Sequence, residues 1–237
     1  MNKKILITAL CALAPAAVFS AASNPASKAY VQQVVAESDA TLRTNITESI
    51  AAQTYKIGQV ALGGVVFFVE QDGRHGLVVS LDTFQAPQWS GGPTHVTAAT
   101  AEGIGAGRIN TFLATASQAQ NTSTAGGAPY STGIYSANYN TGLPCDSSSP
   151  STDPSCVTDW YLPSQYEFSI LAANLCGLSI PGFTPLNPNA ANGYWTSVEA
   201  SEDNAYFATV SADGCTPTFT SVAKVGTGRL ARPIRLF

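Results

Sequence analysis

The stretch Gly64-Val65-Val66-Phe67-Phe68-Val69-Glu70, followed by Gly76-Leu77-Val78-Val79-Ser80-Leu81, decides the fold class of this chain. Both runs are rich in β-branched and aromatic residues, which favour strands. The polar segment Gln71-Asp72-Gly73-Arg74-His75 between them is typical of a turn. The pattern therefore predicts a β-hairpin over residues 64–81.

Downstream of the hairpin, helical and strand patterns alternate. Residues 107–119 carry Ile109, Phe112, Leu113 and Ala116 at helical spacing. A second helix begins at a capping box formed by Ser164 and Glu167 and stops at Gly177. Strands are predicted at 194–199, 206–210, 216–220 and 230–237, with Asp213-Gly214 as a hairpin turn. We expect a compact α+β domain over residues 55–237, with antiparallel strands, two helices and an exposed loop at 120–158.

A separate helix precedes this domain. Asn24 can cap it, Pro25 suits its first position, and neither Gly nor Pro follows until about Gln53. Its larger apolar residues form one stripe, which contains Tyr30, Val31, Val34, Val35, Leu42, Ile46 and Ile50. The helix either packs on its own domain or joins several copies as a parallel, coiled-coil-like stalk over residues 23–54. The stalk explains better why the helix precedes the domain and is polar elsewhere.

The first residues have the pattern of an export signal. Lys3 and Lys4 precede an apolar run over residues 5–19, and small residues follow at Ser20, Ala21 and Ala22. We expect a signal peptide over residues 1–22, with cleavage after Ala22 or, as the alternative, after Ser20. The mature protein is then secreted or lies at the cell surface, without a membrane span.

The charge balance excludes one class of partner. Loss of the signal leaves 9 basic and 15 acidic side chains. Bulk nucleic-acid binding needs a basic footprint, so we expect no nucleic-acid partner.

Four cysteines remain after cleavage, an even number in an oxidising compartment. Three pairings are open, and we favour Cys145 with Cys156 and Cys176 with Cys215, because the first pair closes a Ser/Pro-rich loop that little else holds. No Cys-x-x-Cys spacing indicates zinc.

Six strings of the sequence, taken in order, resemble a known family. They are Gly63–Val69 (GGVVFFV) with His75–Val78 (HGLV), Gln88–Ser90 (QWS), Gly103–Gly107 (GIGAG) with Asn110-Thr111, Asp159–Ser164 (DWYLPS), Tyr194–Ser197 (YWTS) and Arg232–Arg235 (RPIR). Together they resemble the C-terminal domain of the Legionella collagen-like adhesin and its bacterial relatives. The likeness covers nearly all of residues 55–237.

This resemblance implies a C-type-lectin-like fold, an extracellular homotrimer and binding of sulfated glycosaminoglycans. Two features depart from the family. No Gly-x-y collagen stretch precedes the domain, so the N-terminal helix would supply the stalk. The mature chain is also acidic, whereas sulfated polysaccharide is best held by Arg and Lys.

The sequence offers little material for catalysis, and we expect no enzyme. Its two histidines, His75 and His95, lie in a hairpin tip and a loop, and no Gly-x-Ser-x-Gly motif occurs. The glycines of Gly103–Gly107 suit the turn before a helix better than a phosphate cradle. Oxygen ligands cluster at Glu199, Glu202, Asp203 and Asn204, which are weak calcium candidates beside the alternative of a solvated turn. No other cofactor is expected.

Cations concentrate near the C-terminus. The candidate ligand-binding residues are Lys224, Arg229, Arg232 and Arg235, together with Trp89, whereas Trp160 and Trp195 are expected in the core. Three copies on a stalk would combine these cations into one basic surface for anionic polysaccharide. The expected function is therefore a non-enzymatic, adhesin-like binding domain. The alternative is a structural or protein-binding surface module without glycan activity.

Overall fold

The computed structural model of the chain describes residues 25–51, 54–86, 88–90, 96–119, 159–189, 193–226 and 228–237. The chain separates into two compact units, Met1–Gln53 and Thr54–Phe237. Across these described ranges, no helix combines the length and the apolar character that crossing a membrane requires.

The first unit contains one long helix, α1, which spans Pro25–Ala51. The prediction of a helix here is confirmed. Side chains one turn apart support it, since Gln33 Nε2 donates to Glu37 Oε1 at 2.9 Å and Arg43 Nε donates to Asp39 Oδ2 at 2.9 Å. Each α1 residue from Lys28 to Ser49 is exposed.

The second unit has a mixed α+β architecture, as predicted. Its described strands are β1 (Val60–Ala61), β2 (Gly64–Val69), β3 (Gly76–Ser80), β4 (Phe84–Gln85), β5 (Tyr194–Glu199), β6 (Asn204–Val210), β7 (Pro217–Ala223), β8 (Leu230–Ala231) and β9 (Ile234–Leu236). One sheet has the order β1-β2-β3-β9 and the other has the order β4-β8-β5-β6-β7. All pairings are antiparallel except that of β5 with β8.

The hairpin that decides the fold class is confirmed. Strands β2 and β3 pair antiparallel, with Val66 opposite Val78. Val65 and Val79 pack in the main core cluster, whereas Val66 and Val78 pack in another cluster with Trp160. Apolar residues cover both faces of this sheet, which explains why the two runs are continuously apolar and do not alternate.

Within the described part of this unit, the helices are α2 (Ala106–Ala119) and α3 (Gln165–Leu175). The predicted capping box opens α3. The Glu167 N–H donates to Ser164 Oγ at 3.2 Å, and the Ser164 N–H donates to Glu167 Oε2 at 2.8 Å. This confirms that a local sequence signal sets the start of α3.

The predicted C-terminal strand over residues 230–237 is wrong in one respect. The chain forms β8 in one sheet, leaves it at Arg232 and Pro233, and then forms β9 in the other sheet. Pro233 has no N–H to donate to a strand ladder, so the strand ends before it. Arg229 and Arg235 therefore do not share the face of one strand.

Cys176 and Cys215 form the predicted disulfide, with their Cα atoms 4.9 Å apart. It links the end of α3 to the turn before β7. The predicted pair Cys145–Cys156 lies outside the residues that the structure describes.

Candidate functional site

Each of the four C-terminal cations selected from the sequence lies over an aromatic ring. Lys224 Nζ is 5.2 Å from the Trp89 ring centroid, Arg229 is 4.8 Å from that of Trp195 and 4.5 Å from that of Phe207, Arg232 is 4.6 Å from that of Phe183, and Arg235 is 6.0 Å from that of Trp160. Cation–π contacts of this kind stabilise a folded domain. The four cations contact different rings, and the structure does not gather them into one basic surface.

Lys224 and Glu199 form an ion pair in the interior. Their residues are 0% and 5% exposed, and Lys224 Nζ lies 2.5 Å from Glu199 Oε1. The Glu199 carboxylate also accepts hydrogen bonds from the N–H groups of Thr97, at 2.8 Å and 3.0 Å, and Ala98, at 2.9 Å. The expectation that Lys224 binds a ligand at the surface is corrected, because its charge neutralises a buried carboxylate that holds residues 97–98.

Trp89 and Arg232 also lie in the interior. Trp89 is 2% exposed, and its Nε1 donates to the carbonyl of Thr196 at 2.8 Å. Arg232 is fully buried and donates to Thr83 Oγ1 at 2.5 Å and to the carbonyl of Thr184. Neither side chain can reach a polysaccharide in this fold, which corrects both assignments. Trp160 and Trp195, expected in the core, are 1% and 0% exposed, and this prediction is confirmed.

Arg229 and Arg235 are the two selected cations that reach solvent in part. Burial lowers the pKa of each guanidinium from its ordinary value. Arg235 Nη2 donates to the carbonyl of Leu62 at 3.2 Å. The Nε atoms of both are buried and have no hydrogen-bond partner among the described residues. Their terminal nitrogens are what remains of the predicted basic site.

The calcium candidates do not converge. Glu199 directs its carboxylate inward to Lys224, whereas Glu202 and Asp203 are exposed on the turn between β5 and β6. That turn is held by its own hydrogen bonds, because the N–H groups of Asp203 and Asn204 donate to Ser201 Oγ. Glu199 thus belongs to the interior, and the weak calcium assignment of Glu202, Asp203 and Asn204 stays a prediction.

A different group of ligand atoms lies at the tip of the β2–β3 hairpin. Glu70, Asp72 and His75 each offer one atom, and these atoms lie within 4.8 Å of one another. Asp72 Oδ2 is 2.6 Å from His75 Nδ1. The N–H of Arg74 and the side chain of His75 lower the pKa of the Asp72 carboxyl. Sequence reasoning missed the group because the three residues meet only through the turn, and all three are exposed.

The backbone N–H groups of the glycine-rich turn before α2 bind the side chain of Glu167. Glu167 accepts from the N–H groups of Gly105 at 2.8 Å and Gly107 at 3.0 Å, as well as from Ser164 and the Tyr161 hydroxyl. A Cβ on Gly107 would lie 2.3 Å from the carbonyl oxygen of Leu162 and 2.4 Å from Glu167 Oε2. The backbone amides that resembled a phosphate cradle are thus occupied by a buried carboxylate.

Helix α2 buries two polar residues, Asn110 and Thr111, and exposes two large apolar residues, Ile109 and Phe112. Asn110 and Thr111 are 0% and 5% exposed, whereas Ile109 and Phe112 are 56% and 70% exposed. Asn110 exchanges hydrogen bonds with the backbone of Ala101, and Thr111 Oγ1 accepts from the N–H of Leu162 at 3.1 Å. These partners lie elsewhere in the chain, so helical spacing alone could not reveal which side is buried.

The exposed side of α2 is the most apolar outward helix surface in the described part of this unit. We call the residues Arg108, Ile109 and Phe112, with Ile104 one turn before them, the α2 outer face. Ile104 is 38% exposed and Arg108 is exposed. Exposed apolar side chains mark interaction sites when they form a contiguous patch, and Ile109 and Phe112 are neighbours three residues apart on α2. The only sequence signal for it was the string Asn110-Thr111, whose polar residues interrupt the apolar pattern of the helix.

Comparison with protein-family models and with curated proteins finds no match to this chain.

An open pocket lies beside the disulfide. It has a volume of about 340 Å³ and is lined by Leu171, Leu175, Cys176, Phe183, Leu186 and Asp213, among others. Its size falls at the low end of small-ligand sites, which span about 300–1,000 Å³. Asp213 accepts from the Ser211 hydroxyl and the Cys215 N–H, and these bonds lower the pKa of its carboxyl. Both hydrogen bonds go to Oδ1, so this oxygen stabilises the turn before β7.

Proposed function

We propose that this protein is an exported, non-enzymatic binding module that contacts a protein partner through the α2 outer face and is carried by an oligomerising helix, α1. One observation carries the proposal. Phe112 is 70% exposed and Ile109 is 56% exposed, on a helix that buries Asn110 and Thr111. Aromatic and apolar side chains at the centre of a contact dominate the energy of protein–protein interfaces.

The buried polar groups support binding over catalysis. Glu167, Glu199 and Lys224 have side chains suited to acid–base work, but each lies in the interior, whereas His75 is exposed beside Asp72 on the hairpin tip. Glu167 and Glu199 accept several backbone N–H donors, which fixes loops and leaves no approach for a substrate. Their role is to hold residues 97–107 against the core.

The surface charge of the second unit favours a protein partner over an anionic polysaccharide. The exposed carboxylates in its described part are Glu70, Asp72, Asp82, Glu102, Asp159, Glu202, Asp203 and Asp213. The exposed cations there are Lys56, Arg74 and Arg108. A net acidic surface repels sulfated chains, and salt bridges to sulfate need Arg or Lys within reach.

Photocrosslinking tests the proposal. Phe112 is replaced by p-benzoylphenylalanine in the full chain, which is expressed in the cell that makes it, and irradiated products are identified by mass spectrometry. The matched control carries the same group at Thr218, which is exposed on β7. We expect a defined protein adduct from position 112 that is absent from position 218. No adduct at 112, or the same adducts at both positions, would contradict the proposal.

Binding of anionic polysaccharide is the second candidate, and the partly exposed guanidinium groups of Arg229 and Arg235 favour it. A C-type-lectin-like fold and a trimer would accompany it, as the family resemblance implies. Retention on a heparin column that decreases steeply as the salt concentration rises would support this candidate. The variants Arg229→Gln and Arg235→Gln should then be retained more weakly than the wild type at the same salt concentration. Retention that is unchanged by both substitutions would exclude these residues as its site.

A further inference from the structure

Helix α1 exposes a stripe of large apolar side chains. Their exposed fractions are 63% for Tyr30, 41% for Val31, 41% for Val34, 61% for Val35, 58% for Leu42 and 49% for Ile46. Isolated helices of this kind are marginal in water, and most of their stability comes from packing an apolar face. A partner that covers the stripe would therefore stabilise α1.

The stripe repeats every eleven residues. Val31 precedes Leu42 by this interval, Val34 precedes Asn45, Val35 precedes Ile46, and Ser38 precedes Ser49. Eleven residues make three turns at about 3.67 residues per turn, close to the 3.6 of a straight helix. The four columns thus stay on one side of α1 over its described length, and they define what we call the α1 seam (Val31, Val34, Val35, Ser38, Leu42, Asn45, Ile46 and Ser49). Such a seam suits helices that run nearly straight beside one another.

Charges beside the seam favour a parallel arrangement. Helical geometry places Glu37 and Glu48, also eleven residues apart, on one flank, and Lys28, Asp39 and Arg43 on the other. In a parallel assembly unlike flanks meet, so the flank with Glu37 and Glu48 faces the flank with Lys28 and Arg43. That flank also carries Asp39, whose carboxylate pairs with Arg43 on the same helix at 2.9 Å. In an antiparallel assembly like flanks meet, and the flank with Glu37 and Glu48 would face its own acidic counterpart.

A polar residue within the seam, Asn45, also favours a parallel arrangement. Asn45 occupies the column of Val34, and an amide inside a helix–helix seam needs another polar group as its partner. Parallel helices in register place Asn45 of each copy at the same height, where the amides can bond to one another. An antiparallel pair centred on the stripe would place Asn45 opposite Val31 or its neighbours. A single buried Asn fixes register and chain number at a cost in stability.

We propose that α1 binds the α1 helices of further copies of this chain in parallel and in register along the α1 seam, with the Asn45 amides bonded between copies. The partner is thus the protein itself. The inference deepens the proposed function, because it defines how the carrying helix assembles copies. It holds whether the second unit binds protein or polysaccharide.

Variants that each add one cysteine to the full chain test whether the α1 helices run parallel or antiparallel. Ser49→Cys lies at the C-terminal end of the seam, Ser38→Cys lies at its middle, and Ala40→Cys lies on the opposite side of α1 as the control. Parallel helices bring Ser49 of two copies together, whereas an antiparallel pair centred near Ser38 separates them by about 30 Å. We expect mild oxidation to crosslink most of Ser49→Cys and Ser38→Cys into dimers on a non-reducing gel, and to leave Ala40→Cys as single chains.

Mass measurements complete the test. Light scattering of the wild type should give a multiple of the chain mass, and Leu42→Asp should reduce it to a single chain. Asn45→Val should raise the melting temperature of the assembly and replace one mass by a mixture. Crosslinking of Ser38→Cys without Ser49→Cys, or a single-chain mass for the wild type, would overturn the inference. Photocrosslinking from position 112 tests the partner contact of α2 independently of α1 assembly, because that position lies in the second unit.

Discussion

Lys224→Met should strongly destabilise the protein, although the residue was selected from the sequence as a ligand-binding cation. Methionine keeps most of the volume of the buried stem but removes the charge that faces Glu199 at 2.5 Å. Removing one partner of a buried ion pair costs about 3–5 kcal/mol, because the other charge stays buried without compensation. Glu199 keeps its hydrogen bonds from Thr97 and Ala98, so we expect about 3 kcal/mol, the lower end of that range.

The assay is urea unfolding followed by tryptophan fluorescence. Arg74→Met is the matched control, since Arg74 is exposed on the hairpin tip and its loss should change stability by about 0.5 kcal/mol or less. The double variant Lys224→Met/Glu199→Gln should recover part of the loss, because the uncompensated charge is gone. A loss within about 1 kcal/mol for Lys224→Met, together with weaker binding to heparin, would refute the structural role of this lysine.

Three further outcomes follow from the same contacts. Gly107→Ala should cost about 1–3 kcal/mol, because its Cβ would collide with the Leu162 carbonyl and Glu167, and an unchanged urea midpoint would contradict this packing. Burial raises the pKa of Glu167, so the stability that this group contributes is present at acidic pH and is lost as pH rises through its folded pKa. Over that pH range, the unfolding free energy of the wild type should fall relative to that of Glu167→Gln. A rise would contradict this reasoning. Replacing Cys176 and Cys215 by serine should cost about 4 kcal/mol on the chain-entropy model, measured by urea unfolding, and a cost near zero would mean that the turn before β7 is held by other contacts.

Local signals in the sequence predicted the elements of the fold. The hairpin of β2 and β3, the capping box of α3 and the extent of α2 each depend on residues within a few positions of one another. The crossing at Pro233 was missed because the apolar pattern of residues 230–237 continues through it, and only the missing N–H marks the break.

The candidate site was harder to predict because burial of a polar group depends on distant partners. Lys224 is in the interior because Glu199, 25 positions away, supplies a carboxylate there. Asn110 is buried because Ser197, 87 positions away, and Ala101 accept its hydrogen bonds. The sequence shows the positions of the cations along the chain. Whether each cation is buried or exposed depends on these long-range contacts.

Hydroxyl-radical footprinting of the native full chain tests most directly which residues face a partner. Phe112 is 70% exposed and Trp89 is 2% exposed. Modification is quantified by mass spectrometry, and tryptophan is intrinsically at least as reactive as phenylalanine, so intrinsic chemistry works against the expected result. We predict that Phe112 is modified readily while Trp89, Trp160 and Trp195 are protected until the protein is unfolded. Rapid modification of Trp89 with protection of Phe112 would contradict the account and return the candidate surface to the C-terminal cations.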